Sequence, residues 1–198
     1  ALDSIQPTVE HILHTAAAAK LLDALEDNLL LAPIQSSVVP LPHQLYALNR
    51  AISRDRIRYL LADEVGLGKT IEAGLVLREL KLRGRVKRIL VVAPKGLVRQ
   101  WQAEMQLHFG EKFQFIEPSE LAAFRQWRSG AVGDEDNLWR MHDQVICSLD
   151  SVKPLEARRG WSLEQLNTYN RERFEDLISA SWDLVIIDEA HRMGGSTE

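Results

Sequence analysis

Short continuous apolar runs alternate along the chain with longer stretches in which apolar residues return every three or four positions. Four runs are of the first kind: RYLLAD (58–63), RILVVAP (88–94), QVICSLD (144–150) and DLVIIDE (183–189), each closed by a polar residue or a proline. Continuous hydrophobicity suits strands buried on both faces, as in a parallel sheet covered by helices. FQFI (113–116) is a candidate fifth strand. The periodic stretches predict helices over 8–31, 43–54, 70–83, 95–108, 119–128 and 162–179. The helix over 70–83 carries Lys81 and Arg83 in its last turn and meets Gly84, where a helix stops readily. Strand and helix in alternation predict a doubly wound α/β fold with a mainly parallel sheet, whose ligands bind beyond the carboxyl ends of the strands.

Pro33, Pro40 and Pro42 punctuate residues 32–42 and predict a linker there. Residues 1–39 then form an N-terminal helical accessory segment, and 40–198 the α/β lobe. The Gly-rich, acidic stretch over 129–137 is the clearest exposed loop. Starting without Met and ending on Gly194-Gly195-Ser196-Thr197-Glu198, the chain reads as a piece of a longer polypeptide.

With 198 residues, 45% of them apolar, the chain can bury a sizeable core. One cysteine, Cys147, leaves no internal disulfide, and no Cys/His cluster has zinc spacing, so a reducing compartment, the cytoplasm, is expected. No apolar run reaches the roughly 20 residues that span a bilayer. The net charge of −4 conceals an uneven distribution. Residues 50–100 hold 13 Lys/Arg against 5 Asp/Glu, between two acidic flanks. A basic middle either faces a polyanion or is the solvated surface of a helix.

Candidate chemistry sits at two strand ends. After the first run comes ADEVGLGKT (62–70). The expression G-x-x-x-x-G-K-[ST] requires glycine where this chain has Asp63, so the strict pattern is incomplete. The physical requirements are nevertheless met: Gly66 and Gly68 let the backbone fold closely, and a helix start turns successive N–H groups toward an anion. Lys69 can reach β and γ phosphates, and the Thr70 hydroxyl can ligate Mg2+. The alternative is a glycine-softened turn with an incidental lysine. At the end of the last run, Asp188 and Glu189 place two carboxylates at the same edge of the expected sheet. Asp188 would hold Mg2+, and Glu189 would orient and deprotonate an attacking water. The alternative there is ordinary helix capping.

DEVGLGKT together with DEAH resembles the superfamily two helicase-like ATPases, and DEVGLGKTIEAGL is similar to their Swi/Snf branch, in particular the bacterial RNA-polymerase-associated ATPase group. In that superfamily the first glycine of the strict expression is commonly replaced, which accommodates Asp63. The resemblance covers about residues 40–193 and implies the first RecA-like lobe of a two-lobed ATPase. It implies that Asp63, Glu64, Val65, Gly66, Leu67, Gly68, Lys69 and Thr70 cradle the phosphates of ATP and its Mg2+. PLPHQLYAL (40–48) resembles the adenine-reading segment, with Gln44 on the base edge and His43 near it.

VVAPKGLVRQWQAEM (91–105) and ICSLDSV (146–152) resemble segments that touch nucleic acid, which implies contacts from Lys95, Arg99, Trp101 and Ser148. Trp101 alone among the tryptophans is a candidate stacking residue. His191 would couple the ATP site to the rest of the engine. The family's arginine that neutralises developing charge belongs to a second lobe, so this chain is expected to hold half an ATP site and to turn over poorly alone. Duplex DNA is the expected track, and a DNA-bound complex such as RNA polymerase the expected target. Two other functions stay open: an RNA helicase of the same superfamily, and a nucleotide-sensing scaffold without motor activity.

Overall fold

A computed structural model of the chain describes residues 30–53, 58–62, 66–128 and 137–193. Most of the helix expected over 8–31 lies outside them, as do Arg54, Asp63, Glu64, Val65 and residues 129–136 of the expected loop. The chain divides into two compact units, Ala1–Leu31 and Ala32–Glu198, and the second holds the sheet and its helices.

Four strands form one sheet: β1 (Ile89–Ala93), β2 (Gln114–Ile116), β3 (Gln144–Ser148) and β4 (Leu184–Ile187). Their spatial order is β2-β3-β1-β4, and every pairing is parallel. Val91 stands opposite Ile146 on one side and Ile186 on the other. The helices are α1 (Leu31–Ile34), α2 (Pro42–Ile52), α3 (Lys69–Leu82), α4 (Val98–Phe109), α5 (Pro118–Arg128), α6 (Leu149–Val152) and α7 (Leu163–Ser179). The α/β doubly wound arrangement expected from the alternation of runs is therefore present.

Local chemistry sets the helix starts. Proline occupies the first position of both α2 and α5, where its missing N–H costs nothing. At α7 the Ser162 hydroxyl accepts the Gln165 N–H, and the Gln165 side chain accepts the Ser162 N–H, a reciprocal cap. At its far end α3 closes at Arg83 and Gly84, as the sequence predicts.

The two faces of the sheet are covered by different helices. Leu90, Val92, Val145 and Cys147 pack with Ile116, Trp139, Leu149 and Ala180, under Leu121, Val152 and Leu177 from α5, α6 and α7. Ile89, Val91 and Ile146 alternate onto the opposite face, where α4 meets β3 and is itself joined by α3. Gly74 makes the helix pairing close: a Cβ there would overlap the Phe109 ring and the Met105 methyl. Arg78 and Lys81 on α3 both reach the buried Glu111 just beyond α4. The contacts pass from Gly74 against Met105 and Phe109 to Arg78 and Lys81 against Glu111, so α3 and α4 run in the same direction.

Two expectations need correction. Residues 58–62 form no strand; Leu60 is 75% exposed. A strand needs a hydrogen-bonded neighbour, and residues 58–62 pair with none of the four strands. Residues 32–42 do not form a simple linker either. Leu31–Ile34 makes one helical turn, the Ala32 N–H donates to the buried Glu79 carboxylate at 2.7 Å, and the Ser37 N–H donates to the His108 carbonyl at 3.0 Å. The remaining boundaries move slightly: Lys95–Leu97 is a 3-10 turn before α4, and β3 ends at Ser148, where the expected strand run continued to 150.

Candidate functional site

The described part of the phosphate-loop candidate begins at Gly66, with φ of 94°, and Gly68, with φ of 83°. Both angles are in the left-handed region that side chains avoid. Gly68 is also crowded, since a Cβ would stand 2.8 Å from Gln44 Nε2. Gly68 caps α3, and its carbonyl accepts the Glu72 N–H at 3.0 Å, so Lys69 and Thr70 form the first turn of a 14-residue helix. A helix start of this kind offers unpaired N–H groups and the positive end of the dipole to an anion.

The loop is held from behind by α2. Gln44 Nε2 donates to the Leu67 carbonyl at 3.2 Å, while Gln44 Oε1 accepts the Leu41 N–H at 2.9 Å. His43 Nε2 lies 3.3 Å from the same carbonyl and 3.9 Å from the carboxylate of Glu72, which is 1% exposed. Sequence reasoning assigned His43 and Gln44 to a base; here they also brace the loop. Glu72 was not singled out, although an acid set in the apolar stretch Ile71–Leu77 of a helix is a readable signal of a special environment.

The second half of the site follows β4. The Asp188 N–H donates to the Val92 carbonyl at 2.8 Å, which extends the β1–β4 ladder by one residue and fixes the backbone that carries the carboxylate. Asp188 Oδ2 accepts the indole N–H of Trp101 at 2.8 Å. Glu189 has φ of 53°, one of two non-glycine residues with positive φ among the described ones, and its carboxylate lies 3.2 Å from His191 Nδ1. A side chain held in this region is strained, and such strain concentrates at working sites.

α3 packs on the helix that carries Trp101. α4 leaves the carboxyl end of β1 through Pro94 and the Lys95–Leu97 turn. Gly74 lies against Met105 and Phe109, and Arg78 and Lys81 reach Glu111.

The candidate nucleic-acid contacts divide. Lys95 and Arg99 are exposed near the carboxyl end of β1; Arg99 also lies over the Phe115 ring at 5.2 Å and bonds Gln102. Trp101 is corrected: at 4% exposure its ring has no face for a base to stack on, and its N–H is engaged by Asp188. Ser148 is corrected likewise, because its buried hydroxyl pairs with that of Ser151 at 3.3 Å. The spacing of Val98, Trp101, Met105 and Phe109, all buried on one stripe of α4, was the readable signal that Trp101 faces inward.

Comparison with known proteins bears on the same residues. The family described as SNF2-related domain matches residues 43–198. The RNA polymerase-associated protein RapA of Proteus mirabilis (strain HI4320) is 38% identical over 160 residues, 81% of this chain and 14% of the relative. The protein of the same name from Yersinia pestis (strain Pestoides F) is 39% identical over 165 residues, 83% of this chain and 15% of that one. The chain thus spans a small part of the length of these relatives. Among solved structures, the Sulfolobus solfataricus SWI2/SNF2 ATPase core in complex with dsDNA aligns with a TM-score of 0.47 at 18% identity, covering 77% of this chain and 32% of that one. By the extent of the family match and of the similarity to RapA, this chain belongs to the SNF2-related domain family.

Proposed function

We propose that the chain is the ATP-binding lobe of a DNA-dependent ATPase that moves along duplex DNA and remodels the protein complexes bound there. The observations that support this most are a glycine-bounded helix start carrying Lys69 and Thr70 and a β4 end carrying Asp188 and Glu189, with Asp188 bonded to Trp101 on the helix that packs against α3.

The donor set suits Mg2+, which prefers hard oxygen ligands. Thr70 supplies a hydroxyl, and Asp188 a carboxylate whose Oδ1 accepts no bond from the described residues. With Mg-ATP bound, the metal would neutralise charge on the β and γ phosphates. The backbone N–H groups from Asp63 to Thr70 would wrap the phosphates, Lys69 would approach the β and γ oxygens, and Thr70 and Asp188 would hold the metal. Glu189 would orient the water and take its proton. Gln44 has one N–H and one acceptor lone pair beyond its loop bonds, enough to read an adenine edge, with His43 beside it. His191, 3.2 Å from Glu189, would couple that acid to events outside the ATP site.

Lys95 and Arg99 would meet backbone phosphates of duplex DNA, with little base preference. A second RecA-like lobe of the same polypeptide would complete the ATP site. The names of the relatives make RNA polymerase the first complex to test as a target, with the cytoplasm and its nucleoid as the setting.

The test is Glu189→Gln in the whole polypeptide that carries this chain. ATP binding should persist while turnover falls by two to four orders of magnitude, on the order of the loss of a general base. Wild-type turnover should rise with duplex DNA more than with RNA. Greater stimulation by RNA would favour an RNA helicase, and a Glu189→Gln protein with undiminished activity would favour a nucleotide-sensing scaffold.

A further inference from the structure

Trp101 has no role in the reading above except as a landmark, yet its polar atom is the one side-chain donor to Asp188 among the described residues. We infer that Trp101 is the positioning residue for Asp188: it fixes the carboxylate so that the other oxygen meets the Mg2+ of a bound nucleotide. This inference rests on the ATP-site reading and deepens it.

Three observations carry it. The bond is short for a neutral donor, 2.8 Å, and links residues 87 apart in sequence, so it is a product of the fold rather than of local chain geometry. The indole is 4% exposed and stands on the inner stripe of α4 with Val98, Met105 and Phe109, so packing fixes its ring plane and aims the N–H. The Asp188 backbone is independently held through the Val92 carbonyl, which leaves the side-chain torsions as the freedom that Trp101 removes.

The choice of residue matters. Indole donates one hydrogen and carries no charge, so it can hold a carboxylate without cancelling the negative charge a metal needs. A lysine or arginine in its place would hold Asp188 as firmly but compete with the cation. Carboxylates that bind metals are commonly oriented by such outer partners, whose loss weakens metal affinity about ten- to a hundredfold. Trp101 also stands on the helix packed against α3, whose first turn carries Thr70, the other expected metal ligand.

The experiment measures the affinity of a fluorescent, non-hydrolysable ATP analogue for the whole polypeptide, once with EDTA and once with Mg2+. Wild type should bind more tightly with Mg2+, and Asp188→Asn should lose that gain. Trp101→Phe, which keeps an aromatic ring but no N–H, should lose about tenfold of the gain while its affinity in EDTA stays unchanged. Trp101→His, which retains a ring N–H, should recover part of it. A purely structural role would lower both affinities together and would overturn the inference. So would a Trp101→Phe protein that keeps the full gain while Asp188→Asn loses it, although the ATP-site reading would survive. If Asp188→Asn also keeps the gain, the ATP-site reading itself fails. A second readout needs no change at Trp101. In the 15N indole spectrum, Asp188→Asn should move one resonance, and Mg2+ added to the wild-type analogue complex should move the same one. A resonance that responds to Asp188→Asn but ignores Mg2+ would contradict the inference.

Discussion

β1 and β4 begin as near twins in the sequence, RILVVAP and DLVIIDE, yet they meet different surroundings. Every residue of β1 is buried, with β3 and β4 on its two edges and helices over both faces. β4 is an edge strand, and Val185 and Ile187 are 47% and 42% exposed. They share a face with Leu90 and Val92 through the register, so the layer that covers β1 there does not extend over β4 among the described residues. The contrast separates two tasks. The centre of the sheet supplies burial, and its edge supplies position for Asp188 and Glu189.

The largest test of that contrast compares isoleucines on the two kinds of strand. Ile146→Ala, in β3 beside β1 and almost wholly buried, should cost about 2–5 kcal/mol in urea unfolding, through lost transfer energy and a cavity. Ile187→Ala should cost less than about 1 kcal/mol, since a half-exposed side chain leaves little void. Equal costs would mean that the edge is covered in solution.

Next in size is Gly74→Ala. The added methyl must displace Phe109 or Met105, and overpacking of this kind costs about 1–3 kcal/mol. It should also push α3 away from α4 and weaken ATP binding through Lys69 and Thr70. A variant as stable as wild type would show that the two helices have slack.

The same helix pair carries a pH signature. Burial pushes the Glu111 carboxyl up, but hydrogen bonds from Lys81, Arg78 and Gln144 and the charge of Lys81 outweigh it, so Glu111 lies below its usual 4.5. A depressed carboxylate stabilises the fold fully above its unfolded value, and that contribution is lost as pH falls through the folded value. Stability should therefore drop below about pH 4.5, and Glu111→Gln should flatten the drop. A pH profile that Glu111→Gln leaves unchanged would place the sensitive group elsewhere.

The smallest effect is at Cys147 in β3. Burial pushes its thiol up to about 12, so it should ignore a thiol reagent in the folded protein and react only on unfolding. Rapid labelling under native conditions would show that β3 opens.

What the sequence could reveal divides by range. Helix ends are local chemistry, so Ser162 with Gln165, Pro118 and Gly84 announce themselves in a few residues. Four of the five strand candidates are apolar runs that found a neighbour. RYLLAD is likewise an apolar run, but pairing is decided by chain far away in sequence, and its described residues lie exposed apart from a half-buried Leu61. Pro33 suggested a linker, whereas Glu79, buried on α3, ties Ala32 to the lobe by a bond that spans 47 residues. At the proposed site, Gly66, Gly68, Lys69, Thr70, Asp188 and Glu189 stand out in the sequence because glycines after an apolar run and acids at a strand end carry their chemistry in their order. The bracing of Leu67 by Gln44 and the bond between Trp101 and Asp188 could not, since each joins segments that only the fold brings together. Trp101 shows both sides: helical spacing could have revealed that it is buried, but nothing in the sequence named its partner.

The central claim is that the chain from Asp63 to Thr70 and the Asp188–Glu189 pair form one ATP site. The direct measurement is a crystal structure with Mg2+ and a non-hydrolysable ATP analogue. The β and γ phosphates should lie against the backbone N–H groups that lead into α3, with Mg2+ between Thr70 and Asp188. A nucleotide bound elsewhere, or a metal held at the phosphates but out of reach of Asp188, would contradict the account.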